Sequence, residues 1–229
     1  MDAPPRPPRD AATLIVIDKS GPGAPRVLLG KRHSGHRFMP DKFVFPGGAL
    51  EPGDRRVAPA TPLRPEVAAK LDVKPRRASK ALAQALALAA LRETFEETGL
   101  VIGEAAAGGW QGVGGWARFA ALGAAPSLDG LSFLARAITP PGRSKRFDAR
   151  FFVVDAARIR MQVPGIVHAD AELTELAWTP LDETDALDLP QITRMVLGDL
   201  RARLAGAADA ALAVPFYREL RGRFRREFL

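Results

Sequence analysis

Glu93, Glu96 and Glu97 stand at positions i, i+3 and i+4 of the run Arg92-Glu93-Thr94-Phe95-Glu96-Glu97-Thr98-Gly99-Leu100, a segment whose pattern predicts a helix. Side chains so spaced share one helix face. Three adjacent carboxylates repel one another, so the arrangement asks for a cationic partner, and a hard divalent ion suits oxygen donors. A solvated acidic face is the other reading of the same spacing. The chain has no cysteine and three histidines. That excludes disulfides, thiolate metal sites and a cysteine nucleophile, and leaves oxygen as the main ligand for any metal.

Upstream, Phe43-Val44-Phe45-Pro46-Gly47-Gly48 is a short apolar run stopped by Pro and two glycines. This is the pattern of a buried strand ending in a tight turn, with Gly47 and Gly48 letting the backbone approach a ligand. After Gly48 come five residues and then Asp54. Together these pieces resemble the Nudix hydrolase signature: Gly, five residues, an acid, seven residues, then Arg-Glu-apolar-x-Glu-Glu-x-Gly-apolar. The second half agrees at eight of its nine positions, the odd one being Thr94, where that family usually has an aliphatic residue. Asp54 stands where the family usually has Glu, and the spacer has become thirty-seven residues, 55–91, an insertion of thirty. One Nudix subgroup, which includes the peroxisomal coenzyme A diphosphatase type, is similar in carrying a long insertion here and in reading Arg-Glu-Thr-Phe-Glu-Glu.

The resemblance implies an α/β fold, a Nudix-type α/β/α sandwich with a mixed β-sheet. Residues 1–10 read as a flexible arm and 206–229 as a basic helical tail, and the resemblance sets a Nudix domain over 11–205 with the insertion at about 55–84. It also implies a pyrophosphohydrolase that uses Mg²⁺ or Mn²⁺, with Glu93 and Glu97 as direct metal ligands and Glu96 beside them. Arg92 lies about 100° around a helix from Glu93, so it is better placed to pair with an acid such as Asp54 than to touch metal. The general base is Glu93 or a carboxylate from a later loop, where His168, Asp170, Glu172 and Glu175 gather.

Substrate class rests on the flanks. Leu28-Leu29-Gly30-Lys31-Arg32, then Arg37, then Phe45-Pro46-Gly47-Gly48 resembles the motif that precedes the signature in coenzyme A diphosphatases, with Gly30, His33 and Asp41 departing from it. Arg32 and Arg37 suit phosphate contacts. Trp116 stands where ADP-ribose hydrolases tend to have Pro, and the single tyrosine, Tyr217, is far from where dinucleoside polyphosphate hydrolases place one. Coenzyme A or an acyl-coenzyme A is the leading substrate. ADP-ribose, a nucleotide sugar and an RNA cap are alternatives for the same metal site, and a noncatalytic Nudix-like ligand sensor is a remoter one. Phe38, Trp110 and Trp116 are candidates for stacking an adenine.

The elements that must hold these residues follow from periodicity. Residues 13–18 and 27–30 read as paired strands across the Gly- and Pro-rich turn 20–25. A short helix is expected at 65–71, and a long one at 81–98, stopped by Gly99. Strands are expected at 100–102, 147–154 and 172–178, and helices at 116–122 and 192–204. Strands with interspersed helices suggest a mixed sheet between helical layers. At 229 residues, 47% of them hydrophobic, the chain can bury one sizeable core. No apolar run approaches a membrane span and the first ten residues lack a signal peptide's apolar centre, so a cytoplasmic location is expected. A net charge of +7 favours a small anionic pyrophosphate partner, with no membrane. Nonspecific RNA attraction and a homodimer stay open.

Overall fold

Strand β1 (Arg9–Asp18) is buried on both faces: Leu14 and Val16 enter one apolar cluster, while Ile15 and Ile17 enter another. Such a strand must lie inside a sheet covered on each side. The computed structural model describes residues 7–35, 39–74, 81–106, 108–206 and 213–229. After β1 come β2 (Arg26–Arg32), β3 (Phe43–Val44), β4 (Gly47–Ala49), a 3₁₀ turn (Pro52–Arg55), α1 (Pro65–Leu71), α2 (Leu82–Thr98) and β5 (Leu100–Ala105). Then follow α3 (Trp116–Ala121), β6 (Ala124–Pro126), β7 (Ser132–Ile138), β8 (Phe147–Asp155), β9 (Ile159–Gln162), β10 (Leu173–Pro180), α4 (Gln191–Leu204), β11 (Pro215–Leu220) and β12 (Arg223–Phe228).

Among the described residues the main sheet runs β10-β2-β1-β8-β7-β11-β12, with β3 beside β2 and β4 beside β1. It is mixed: β1 pairs β8 in parallel and β2 antiparallel. Leu86, Leu88 and Phe95 of α2 pack on the Leu14/Val16 face, and Val196, Leu197 and Leu200 of α4 pack on the Ile15/Ile17 face. The result is an α/β/α sandwich. A smaller sheet, β6-β5-β9, continues from the end of α2.

Helix α2 is apolar on nearly every side over 82–91, as befits a helix enclosed by the fold rather than lying on it. Its Ala- and Leu-rich stretch has high helix propensity. It stops at Gly99, which takes φ 76° and donates its N–H to the Phe95 carbonyl at 2.9 Å. That stop feeds directly into β5 and keeps the acidic last turn against the β4 loop.

Two expectations are corrected. The arm assigned to 1–10 is shorter, because Arg9 and Asp10 already belong to β1, where Arg9 and Asp10 register with Phe147 and Asp148; residues 1–6 lie outside the described set. Over residues 213–229 the basic tail is not helical: β11 and β12 form an antiparallel hairpin. Leu220 registers with Arg223, and Arg221 and Gly222 between them both take positive φ, 51° and 72°, the conformation of a tight two-residue hairpin turn. Among the described residues no helix is long and apolar enough to cross a membrane.

Candidate active site

The last turns of α2 carry the acidic residues, and β4 with the following 3₁₀ turn brings Gly47, Gly48 and Asp54 against them. Arg92 is the hub. It is 2% exposed, and its Nε and Nη2 donate to Asp54 Oδ1 and Oδ2 at 2.8 and 3.1 Å, a bidentate pair. Nη1 donates to Glu93 Oε1 at 3.0 Å and to Glu96 Oε2 at 2.8 Å, and Nη2 also reaches the Ala49 carbonyl at 3.0 Å. One guanidinium thus ties the loop to the helix across thirty-eight positions of sequence. Burial works against its charge, but the Asp54 hydrogen bonds and the fields of Glu93, Asp54 and Glu96 hold it firmly protonated.

Asp54 is fully buried, and its carboxylate also accepts from the Glu51 N–H at 2.8 Å and from the Trp116 indole Nε1–H at 2.9 Å. Glu97 is 6% exposed and accepts from the Gly47 N–H at 3.1 Å. Gly48 meets the helix closely: a Cβ there would lie 2.5 Å from the Glu93 carboxyl carbon. Only glycine lets that carboxylate rest against the strand.

These carboxylates are electrostatically strained. Burial pushes Glu93 up to about 7; Arg92 opposes this, while Glu96 and Glu172 reinforce it. Glu97 is driven well above the ordinary carboxylate range, first by burial and then by Glu172 and Glu93, with Arg32 and the Gly47 N–H pulling the other way. Glu96 is raised chiefly by burial. Glu172 therefore joins the acidic face, where Arg32 Nη2 donates to its Oε1 at 2.7 Å.

The structure brings Asp54, Arg92, Glu93, Glu96 and Glu97 together with Gly47 and Gly48, and sets Arg32 beside them through Glu172. Arg37 and Phe38 lie outside the described residues. All four later-loop candidates are exposed, and of them Glu172 is the one whose field acts on Glu93 and Glu97; His168 Nδ1 accepts from the Asp170 N–H at 3.3 Å. Trp116 is no stacking platform: it is fully buried, and its N–H is spent on Asp54. Trp110 is partly buried and donates to the Ala124 carbonyl at 2.8 Å. The Trp116–Asp54 bond was not foreseen from sequence, although a buried tryptophan usually finds an acceptor.

Among the described residues no three His, Asp or Glu side chains are closed into a metal cage, because Arg92 draws Glu93 and Glu96 toward itself while Glu97 turns to Gly47. The donor chemistry nevertheless fits a hard cation. Glu93, Glu97 and Glu172 offer only oxygen, and their mutual repulsion is the kind a divalent ion relieves.

No family model matches the chain. The fold is that of the Nudix hydrolases: the crystal structure of a Nudix hydrolase from Alicyclobacillus acidocaldarius superposes with a TM-score of 0.64 and 28% identity, over 90% of this chain and 96% of that one. A Caenorhabditis elegans protein carrying the name nudix hydrolase 7 is 27% identical over 184 residues, 74% of this chain. The chain spans 50% of the length of that relative. Both similarities support the Nudix hydrolase family.

Proposed function

We propose that the protein is a divalent-metal-dependent pyrophosphohydrolase acting on a nucleoside-diphosphate-linked compound, with coenzyme A or an acyl-coenzyme A as its substrate. The observation that carries this reading is the Arg92 hub, which gathers Asp54, Glu93 and Glu96 beside Glu97, buried against Gly47 at the start of β4. A pyrophosphate resists attack because its oxygens repel nucleophiles. Catalysis therefore needs charge neutralisation, an in-line water and a base. Glu93, Glu96 and Glu97 would hold Mg²⁺ or Mn²⁺, which when bound neutralises the phosphate oxygens.

The chain's own groups do the rest. Glu93 and Glu172 are the candidates for taking the proton from water, and the high proton affinity of buried Glu93 suits a base working near neutrality. Gly47 and Gly48 give the substrate close access to backbone, and Arg32 supplies a cation for its phosphates. Water adds to one phosphorus, the bridging oxygen leaves with the bonding pair, and two phosphate monoesters result. From coenzyme A these are 3′,5′-ADP and 4′-phosphopantetheine. The choice of coenzyme A rests on the resemblance of the segment containing Arg32 and Arg37 to the coenzyme A diphosphatase motif.

The test is to incubate the purified protein with coenzyme A, acyl-coenzyme A, ADP-ribose, nucleotide sugars and capped RNA, with Mg²⁺ or Mn²⁺, and to identify products by mass. Turnover of coenzyme A compounds should dominate, stop in excess chelator, and fall on the order of 10²–10⁴-fold in kcat for Glu97→Gln. A kcat/KM for ADP-ribose or a nucleotide sugar about a hundredfold above that for coenzyme A, some 2.7 kcal/mol of transition-state preference, would move the assignment to that substrate. No turnover of any compound would end the hydrolase reading.

A further inference from the structure

The 3₁₀ turn bearing Asp54 and the helix bearing Arg92 are joined by a long intervening segment, so chain connectivity does little to hold them in register. Something else must fix the Asp54 carboxylate, because Arg92 has three acids competing for its one guanidinium. Two features at the start of α3 converge there. The fully buried Trp116 donates its indole N–H to Asp54 Oδ1, the same oxygen that accepts from Arg92 Nε. Gly115 lies so close to the hub that a Cβ would fall 1.9 Å from Glu96 Oε1 and 2.8 Å from Arg92 Cδ. Trp116 is itself locked by an edge-on contact with Phe119, at 5.3 Å between ring centroids, and Phe119 makes a second such contact, also 5.3 Å, with Phe95 of α2. The ring therefore stands on the helix whose acids it serves.

We propose that Trp116 is a positioning residue of the acidic site: its indole N–H orients Asp54, Asp54 fixes Arg92, and Arg92 sets where Glu93 and Glu96 point. The four bonds to Asp54 divide evenly. Oδ1 takes Trp116 and Arg92 Nε, and Oδ2 takes Glu51 N and Arg92 Nη2. Removing the indole donor leaves Oδ1 with Arg92 alone, and the carboxylate can then turn. The guanidinium follows it, and the two glutamates follow the guanidinium. Gly115 has the matching role of bringing backbone onto the site without a side chain in the way.

This inference rests on the pyrophosphohydrolase reading, and its test separates the two. Trp116→Phe keeps an aromatic ring against Phe119 and deletes the N–H. It should lower kcat about ten- to hundredfold, as for loss of a hydrogen bond to a charged group, with KM changed less than about threefold. It should also weaken binding of Mn²⁺ alone, measured by calorimetry, by about fivefold or more, on the same principle of a lost charge-assisted contact. Phe119→Leu loosens the same packing but keeps the indole N–H, and should cost kcat and Mn²⁺ affinity clearly less than Trp116→Phe does. Equal losses in both variants would make the role of Trp116 purely one of packing and overturn the proposal, as would normal kcat and Mn²⁺ affinity in Trp116→Phe.

A third measurement needs no change at Trp116. The chain has three tryptophans, so the indole N–H resonance of Trp116 is assigned by elimination from Trp110→Phe and Trp178→Phe. It should shift on titration with Mg²⁺, because the acids it serves rearrange; an unmoved resonance in a protein that binds Mg²⁺ would overturn the proposal even if Trp116→Phe fails to fold. A parent protein that binds Mg²⁺ with this shift and yet hydrolyses no pyrophosphate would overturn the function while leaving the positioning role intact.

Discussion

At the scale of single residues, the site consists of carboxylates that folding makes harder to ionise. Glu93 shows the consequence for stability. Its carboxyl moves from an ordinary 4.5 up to about 7, burial being the first cause, so the folded chain holds this proton more tightly than the unfolded chain does. The stabilisation is fully present below pH 4.5 and is lost as pH rises through 7, a loss of about 3 kcal/mol across that window. Glu96 and Glu97 are raised too and act in the same direction. In excess chelator, urea unfolding should give a stability that falls between pH 4.5 and 7.5, and Glu93→Gln should flatten the fall. Added Mg²⁺ should stabilise the protein more at pH 7.5 than at pH 5, since cation and proton compete for the same oxygens. A chelated protein whose stability is level or rising over that range would contradict the strained-carboxylate picture. The spacing of the three glutamates was legible in sequence because a helix fixes which residues share a face. The fourth, Glu172, was legible only as a member of a group, because nothing in the spacing of the four says which one comes within the field of Glu93 and Glu97.

Among the elements, the junction between the 3₁₀ turn and α2 is the one on which the site depends. Asp54→Ala and Arg92→Ala should each cut activity severely and each cost about 3–5 kcal/mol of stability, because either change strands a buried charge. The double variant should be scarcely worse than either single one, since the two residues act as a unit. Additive losses in kcat/KM and in unfolding free energy would show that they work separately. The pairing could be reasoned from the 100° offset of Arg92 from Glu93, which lets it reach the loop, whereas its simultaneous bonds to Glu93 and Glu96 drew no expectation. Helix α2 itself was plain from its Ala- and Leu-rich stretch and its glycine stop. β7, by contrast, drew no expectation. Its residues Phe133, Leu134 and Ala135 are buried in succession, and a run buried on both faces shows neither period. The hairpin of β11 and β12 was misread as a helix through its arginines, although Arg221-Gly222 sits where a two-residue turn joins two aromatic-bearing runs. Charge carries no secondary-structure period of its own, and the apolar positions decide.

At the scale of the whole molecule, the two faces of the sheet do different work. The acidic site lies on the α2 face, while α4 and the end of the hairpin meet on the other through Tyr217 and Asp199. Tyr217 is 2% exposed and donates to Asp199 Oδ2 at 2.6 Å, while Arg226 of β12 donates to Asp199 Oδ1 at 2.8 Å and to the Tyr217 hydroxyl oxygen at 3.1 Å. Burial, followed by Asp199, pushes the phenol up to about 12, so this clasp keeps its proton through the whole neutral range. Tyr217→Phe preserves the ring in its core position and deletes one donor to a buried carboxylate. The expected cost is about 1–3 kcal/mol of unfolding free energy, the penalty for losing a hydrogen bond to a charged group. A drop in Tm of roughly 2–10 °C should follow, given the size of the chain. Turnover per folded molecule should stay at the parent level, because the sheet stands between this clasp and the acids of α2. The measurement is a urea or thermal unfolding curve beside a steady-state assay at a temperature where both proteins are folded. A variant that unfolds like the parent but loses turnover would mean that the hairpin reaches the site by a route other than stability, and the division of labour between the two faces would have to be abandoned.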